Sequence, residues 1–174
     1  YPLRRQRQMC IRDRDIDINL YSGANVQEEV GLRGAKVAAN KINPDLAIAV
    51  DVAVAYDTPG MTGEANDAKL GEGPVVITMD ASNIAHVGLL KHIKNVAKQH
   101  DIPIQLDTTA GGGTDAGSIH VANEGIPTVS LGVALRYMHS NVSVLHTEDY
   151  RNSVKLVTEI VKSLNDETVD QIKW

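Results

Sequence analysis

From residue 15 onward, polar and apolar positions follow two periods that alternate along the chain. The run 15–22, DIDINLYS, alternates polar and apolar residues and reads as a strand. EEVGLRGAKVAANKI follows at helical spacing, weakened by Gly31 and Gly34. DLAIAVDVAVA is an almost continuous apolar run, as expected of a strand buried on both faces. GPVVITMDA predicts another strand. Ile84, Val87, Leu90, Ile93 and Val96 or Ala97 then recur at the spacing of one helix face. IPIQLDTTA reads as a strand, TDAGSIHVANEG as a helix closed by Gly125, and IPTVSLGVALRYMHS as a strand with its exit loop. The chain closes on one long predicted helix with a stripe of Val154, Val157, Ile160, Val161 and Leu164. Strands alternating with crossover helices predict an α/β fold: a mostly parallel twisted sheet flanked by helices. In such sheets, sites gather at the carboxyl ends of strands.

Composition narrows the possibilities. The chain has 174 residues, 43% of them hydrophobic and none of them Phe, which suits one packed domain with an aliphatic core. No apolar run reaches the ~20 residues that span a bilayer, so no membrane partner is expected. The single cysteine, Cys10, excludes an intramolecular disulfide framework and a Cys-rich zinc site, and a cytoplasmic setting fits. Residues 1–14, YPLRRQRQMCIRDR, differ from the remainder. Without them the formal charge falls from −5 to −9, because five of seventeen basic residues and one acid leave together. So acidic a body does not suit nucleic acid. The arginine-rich segment lacks an apolar signal core and resembles read-through of a sequencing adapter, so it is taken as non-native or disordered. The domain proper is then 15–174.

Several polar residues stand out. Glu28 and Glu29 are adjacent at a strand-to-helix corner. Asn25 and Glu28 match a helix capping pattern, which alone would account for them. Adjacent side chains nevertheless point about 100–180° apart, so the two acids can reach different groups. Asp51 lies inside an apolar run and, if deeply buried, needs a partner or a cation. His139 follows a predicted strand directly. His146 is a possible second ligand, although VLHTEDY reads better as the approach to the last helix. His86, His92 and His100 look like helix-surface residues. The loop GGGTDAGS satisfies a dinucleotide fingerprint by spacing, yet no acid occurs between Gly125 and Leu145 where that fingerprint wants one. Thr114 or Asp115 is the expected helix cap there.

Taken in order, VQEEVGLRGA, AVDVAVAYDTPG, GGGTDAGSIH and LRYMHSNVSVLH resemble the two-metal aminopeptidases of metallopeptidase family forty-two, the glutamyl and deblocking aminopeptidases, some of which form tetrahedral dodecamers. The likeness runs from Asp15 to the last helix. It implies a zinc-peptidase-like fold, here incomplete, and an enzyme that releases N-terminal residues from short peptides. It further implies that Glu28 is the general base and that Asp51 binds one metal ion while Glu29 and His139 bind the other. Gly113, Thr114 and Asp115 would line the substrate loop. Two divalent ions (Zn, Co or Mn) would acidify a water and polarise the scissile carbonyl, and an unligated carboxylate would move its proton. The family's early His-x-Asp motif and its metal-bridging aspartate are missing, as is its inserted domain. The chain is therefore expected to be the C-terminal part of a catalytic domain, inactive alone, from a homo-oligomeric parent. Rival readings are a polysaccharide hydrolase of endoglucanase type and a non-enzymatic α/β binding module; a chain only 3% aromatic argues against the first.

Overall fold

The computed structural model describes residues 16–61, 68–109 and 111–173. The expectation for residues 1–14 lies outside them. The elements are α1 (Arg33–Ile42), β1 (Ala47–Val54), β2 (Val75–Met79), α2 (Val87–Gln99), β3 (Gln105–Thr108), α3 (Ala116–Ile119), β4 (Thr128–Arg136), β5 (Val144–Leu145), α4 (Thr147–Ser163) and α5 (Asp166–Lys173).

The sheet runs β1-β4-β2-β3, with β5 paired to β4. The β1/β4 and β2/β3 ladders are parallel, with eight and four paired residues. The β2/β4 and β4/β5 ladders are antiparallel, with three and two. The sheet is thus mixed, and most of its register is parallel. Its two parallel pairs meet at one antiparallel joint.

Strand β4 is the centre of the molecule, buried along its first seven residues. Its alternating side chains serve two layers. Val129 and Leu131 join Val76 from β2, Leu89, Ile93, Val96 and Ala97 from α2, Leu156 and Ile160 from α4, and Ile172 from α5. Leu89, Ile93, Leu156 and Ile160 are wholly buried, each contributing about 1.5–3 kcal/mol by leaving water. On the opposite face α3 packs against β1 and β4, and α1 packs on α3. Ala39, Ala122 and Ile126 form a small cluster on that side. Further along the sheet, Ala68 and Leu70 cover Ala53, Val75, Ile77 and Ala134.

Several expectations require correction. Residues 16–22 of the alternating run form no strand. Alternation alone does not make a strand when no neighbour is present to pair with its backbone. β1 is an edge strand and not doubly buried: Val50 is 61% exposed. The residue run suited to two buried faces has only one of its edges paired. The first helix begins at Arg33, because Gly31 and Leu32 have φ of 119° and 54°, outside the helical region. The helix after the glycine loop is four residues long and continues as turns to Gly125. The final helix is two. Leu164 is extended at ψ 136°, and Asn165 restarts the chain by accepting the Thr168 N–H at 2.8 Å. In α4, Val154 is exposed and Leu156 takes its place in the core.

Candidate active site

The corner carrying Glu28 and Glu29 is a folded-back loop and not the first turn of a helix. The Glu28 carbonyl accepts from Gly31 and Leu32 at 3.1 and 2.9 Å, and the Val26 carbonyl accepts from Gly34 at 3.0 Å. Gln27 and Leu32 both adopt left-handed backbone at φ 61° and 54°. Gly34 explains its own presence. A Cβ there would lie 2.5 Å from the Val26 carbonyl oxygen and 2.6 Å from its nitrogen, so only glycine lets α1 dock on the corner. Asn25 does not cap the helix. Its Nδ2 donates instead to Asp115 Oδ2 at 2.7 Å, tying the corner to the glycine loop ninety residues away.

That loop rests on the turn leaving β2. Asp80 Oδ1 accepts from Ser82 N–H, Ser82 Oγ and Asn83 N–H at 2.7–2.8 Å, and the Ala81 N–H donates to the Gly112 carbonyl at 3.1 Å. A Cβ on Gly113 or Gly117 would meet Ser82 Oγ at 2.6 or 2.3 Å, whereas Gly111 and Gly112 have open space beside them. Thr114 is buried and bonded to Ser130 Oγ of β4 at 2.6 Å. Its Oγ1 also accepts the Ala116 N–H at 3.3 Å, so Thr114 supplies the expected cap and Asp115 makes no side-chain cap bond. The loop is thereby fixed at its rear and open at its front. Asp80, Ser82 and Ser130 do not stand out on first reading; the sequence Asp-Ala-Ser-Asn after a strand is the turn signal that marks them.

Asp51 sits in β1 opposite Gly132 of β4. It is half-buried, less than its apolar neighbours suggest, because β1 lies at the edge; its Oδ1 accepts the Val52 N–H at 2.7 Å. His139 lies three residues beyond β4 and approaches Glu29, with Nδ1 3.6 Å from Oε1. His146 caps α4, and its ring faces Gly71. His92 departs from the surface expectation: it is half-buried and bonded to Ser163 Oγ at 2.8 Å, and burial lowers its pKa.

Glu28, Glu29, Asp51, Asp115 and His139 therefore share one rim. Their mutual field is felt most at Glu28. Partial burial raises its pKa first; the neighbouring charges of Asp51, Glu29 and Asp115 raise it further, and His139 opposes them. A carboxylate raised in this way is a better proton acceptor than an ordinary glutamate. The surrounding acids also make a strongly negative locus. Asp115 Oδ1 is buried there with no donor among the described residues. Imidazole plus carboxylates is a donor set that fits a divalent cation such as Zn, Co or Mn. Among the described residues no three such groups already stand in ligating geometry, so this set is partial.

The family model for M42 glutamyl aminopeptidase matches residues 8–156. The chain belongs to that family. Among curated relatives, the glutamyl aminopeptidase of Lactococcus lactis subsp. cremoris (strain MG1363) is 40% identical over 163 residues, covering 94% of this chain and 44% of that protein. The TET aminopeptidase of the marine sediment archaeon Thaumarchaeota archaeon SCGC AB-539-E09 superposes with a TM-score of 0.89 at 41% identity, over 95% of this chain and 46% of that one. The Pyrococcus horikoshii TET1 peptidase, described as assembling into a tetrahedron or a large octahedral shell, gives 0.67 at 37% identity over 80% and 40%. The M42 chain thus spans less than half the length of the relatives it matches. Among its described residues no helix is long and apolar enough to cross a membrane.

Proposed function

We propose that the protein from which this chain comes is a metal-dependent aminopeptidase removing N-terminal residues from short peptides. Glu28 is its general base, and Glu29, Asp51 and His139 are metal ligands. The observation that carries the reading is the convergence of three acids and one imidazole on Glu28, whose pKa is raised, the five residues coming from four separate stretches of chain. When bound, divalent cations would supply Lewis acidity toward the peptide carbonyl and lower the pKa of a water. Glu28, not needed as a ligand, would take a proton from the attacking water and return it to the departing amine. Partial burial first, and then the neighbouring acids, hold the Glu28 carboxyl above its ordinary pKa in the metal-free chain. Gly113 and Thr114 hold the loop's shape while the bare flanks of Gly111 and Gly112 leave room for a peptide backbone.

Two readings follow at lower resolution. Two cations per complete site would need ligands from outside this chain, because three donors cannot complete two coordination shells. A homo-oligomeric parent is supported by the assembly named for the Pyrococcus horikoshii peptidase. The test uses the protein completed upstream to the length of its relatives, with amino-acid anilides as substrates. Glu28→Gln should lower turnover by about 10²–10⁴-fold, the range for removing a general base, while bound metal measured by mass spectrometry stays unchanged. Retained turnover in that variant, or a completed protein that carries no metal, would sink the proposal.

A further inference from the structure

The turn that carries His139 holds a backbone shape its residues do not favour. Tyr137 and His139 both have φ of 60°, in the left-handed region that few residues other than glycine adopt. The β4/β5 hairpin does not require this. Its two register pairs, Leu135 with Leu145 and Arg136 with Val144, close the ends and leave residues 137–143 free to arrange themselves. The arrangement is imposed inside the loop, at one atom. The Tyr137 carbonyl oxygen is met by the Ser140 N–H at 3.2 Å, by Ser140 Oγ at 2.7 Å and by Ser143 Oγ at 3.2 Å. Ser140 Oγ also lies 2.7 Å from the Val142 carbonyl, so its single proton is shared between the two ends of the turn. Three donors around one carbonyl in a solvent-exposed loop are more than that oxygen needs, since water could serve it.

We propose that Ser140 and Ser143 are positioning residues for His139. By fixing the Tyr137 carbonyl they hold Tyr137 and His139 left-handed, and this directs the imidazole toward Glu29, 3.6 Å away. A backbone strained beside a site and over-determined by hydrogen bonds is how a ligand is kept in one orientation before anything binds. The inference rests on reading His139 as a metal ligand, and the test separates the two.

The experiment is zinc titration of the protein completed upstream to the length of its relatives, by competition with a chromophoric chelator. It compares the wild type with His139→Ala and with Ser140→Ala/Ser143→Ala, alongside thermal unfolding and the intraresidue amide-to-α proton NOEs of residues 137 and 139. The double variant should unfold at the wild-type temperature, lose the strong NOEs that mark positive φ, and bind zinc about 10-fold or more weakly, the range seen when a ligand's supporting shell is removed. Ser140→Thr on the Ser143→Ala background, which keeps a hydroxyl at 140, should regain most of the loss. Unchanged zinc affinity in the double variant, when His139→Ala does lose affinity, overturns the positioning role alone. A completed wild-type protein that takes up no zinc, or His139→Ala binding as wild type does, overturns the ligand reading and the inference with it.

Discussion

Asp149 offers the clearest test of how the fold is tied together. It lies in the first turn of α4 and is 1% exposed. Its carboxylate accepts the backbone N–H of Gly71 at 2.7 Å and of Gly73 at 2.9 Å. The segment it holds supplies Ala68 and Leu70 over one face of the sheet and leads into β2. Gly73 cannot easily move, because it sits at φ 96° and a Cβ there would lie 2.3 Å from the Pro103 carbonyl oxygen. Hydrogen bonds to a charged acceptor contribute about 1.5–3 kcal/mol each, and the helix N-terminus adds about 0.3–1 for a negative group. Asp149→Ala removes both bonds and strands two amides, so it should cost about 3–5 kcal/mol, near the upper end of single-residue effects. Asp149→Asn keeps one acceptor and turns an NH₂ toward the other amide, so about 2–3 kcal/mol is expected. Urea unfolding followed by circular dichroism measures both, with an unchanged m-value showing that the native state and not the unfolded ensemble was altered. Hydrogen exchange at the Gly73 amide should accelerate in step. A loss below about 1 kcal/mol for the alanine variant, or undiminished protection at Gly73, would refute the reasoning.

Two further predictions concern pH and close packing. Burial lowers the His92 pKa in the folded chain, so folding favours the neutral ring. The stability this confers is complete above the unfolded value near 6.5 and is lost as pH falls through the folded value. The unfolding temperature of the wild type should therefore drop more steeply between about pH 7 and 5 than that of His92→Gln, and parallel curves would contradict it. At Gly132, opposite Asp51, an added Cβ would stand 2.8 Å from Ala53 Cβ and 3.0 Å from its nitrogen. Gly132→Ala should destabilise by about 1–3 kcal/mol and push β1 outward. Chemical-shift changes should appear at residues 51–53; an undisturbed β1 would count against the packing argument.

Local period was enough for some elements and silent on others. α2 and α4 form within the stretches of helical spacing, although Ile84 precedes α2, Ile84 and Val87 are exposed and Leu89 joins the buried face. β2, β3 and β4 form where short apolar runs are bounded by turns. Those signals are properties of neighbours in the chain. Partnership is not, and this is why residues 16–22 alternate without forming a strand and β1 looks doubly buried while standing at an edge. The same limit applies to the rim. Glu28, Glu29, Asp51 and His139 were legible as candidates from the motifs around them, and Asp115 from its loop. Their supports were not: Asn25 reads as a helix cap but bonds Asp115, and Ser82 reads as an ordinary turn residue but holds the glycine loop.

The amino-acid order by itself determined which segments could be helix or strand, the aliphatic character of the core and the residue types able to hold a cation. Tertiary structure alone decided that β2 runs against β4, that Glu29 meets His139 from a distant part of the chain, and that burial and then the neighbouring acids raise the Glu28 pKa. The reason is range. Propensity and period act over a few residues, whereas Coulombic and hydrogen-bonding contacts depend on separations in space that chain closure and packing must first create.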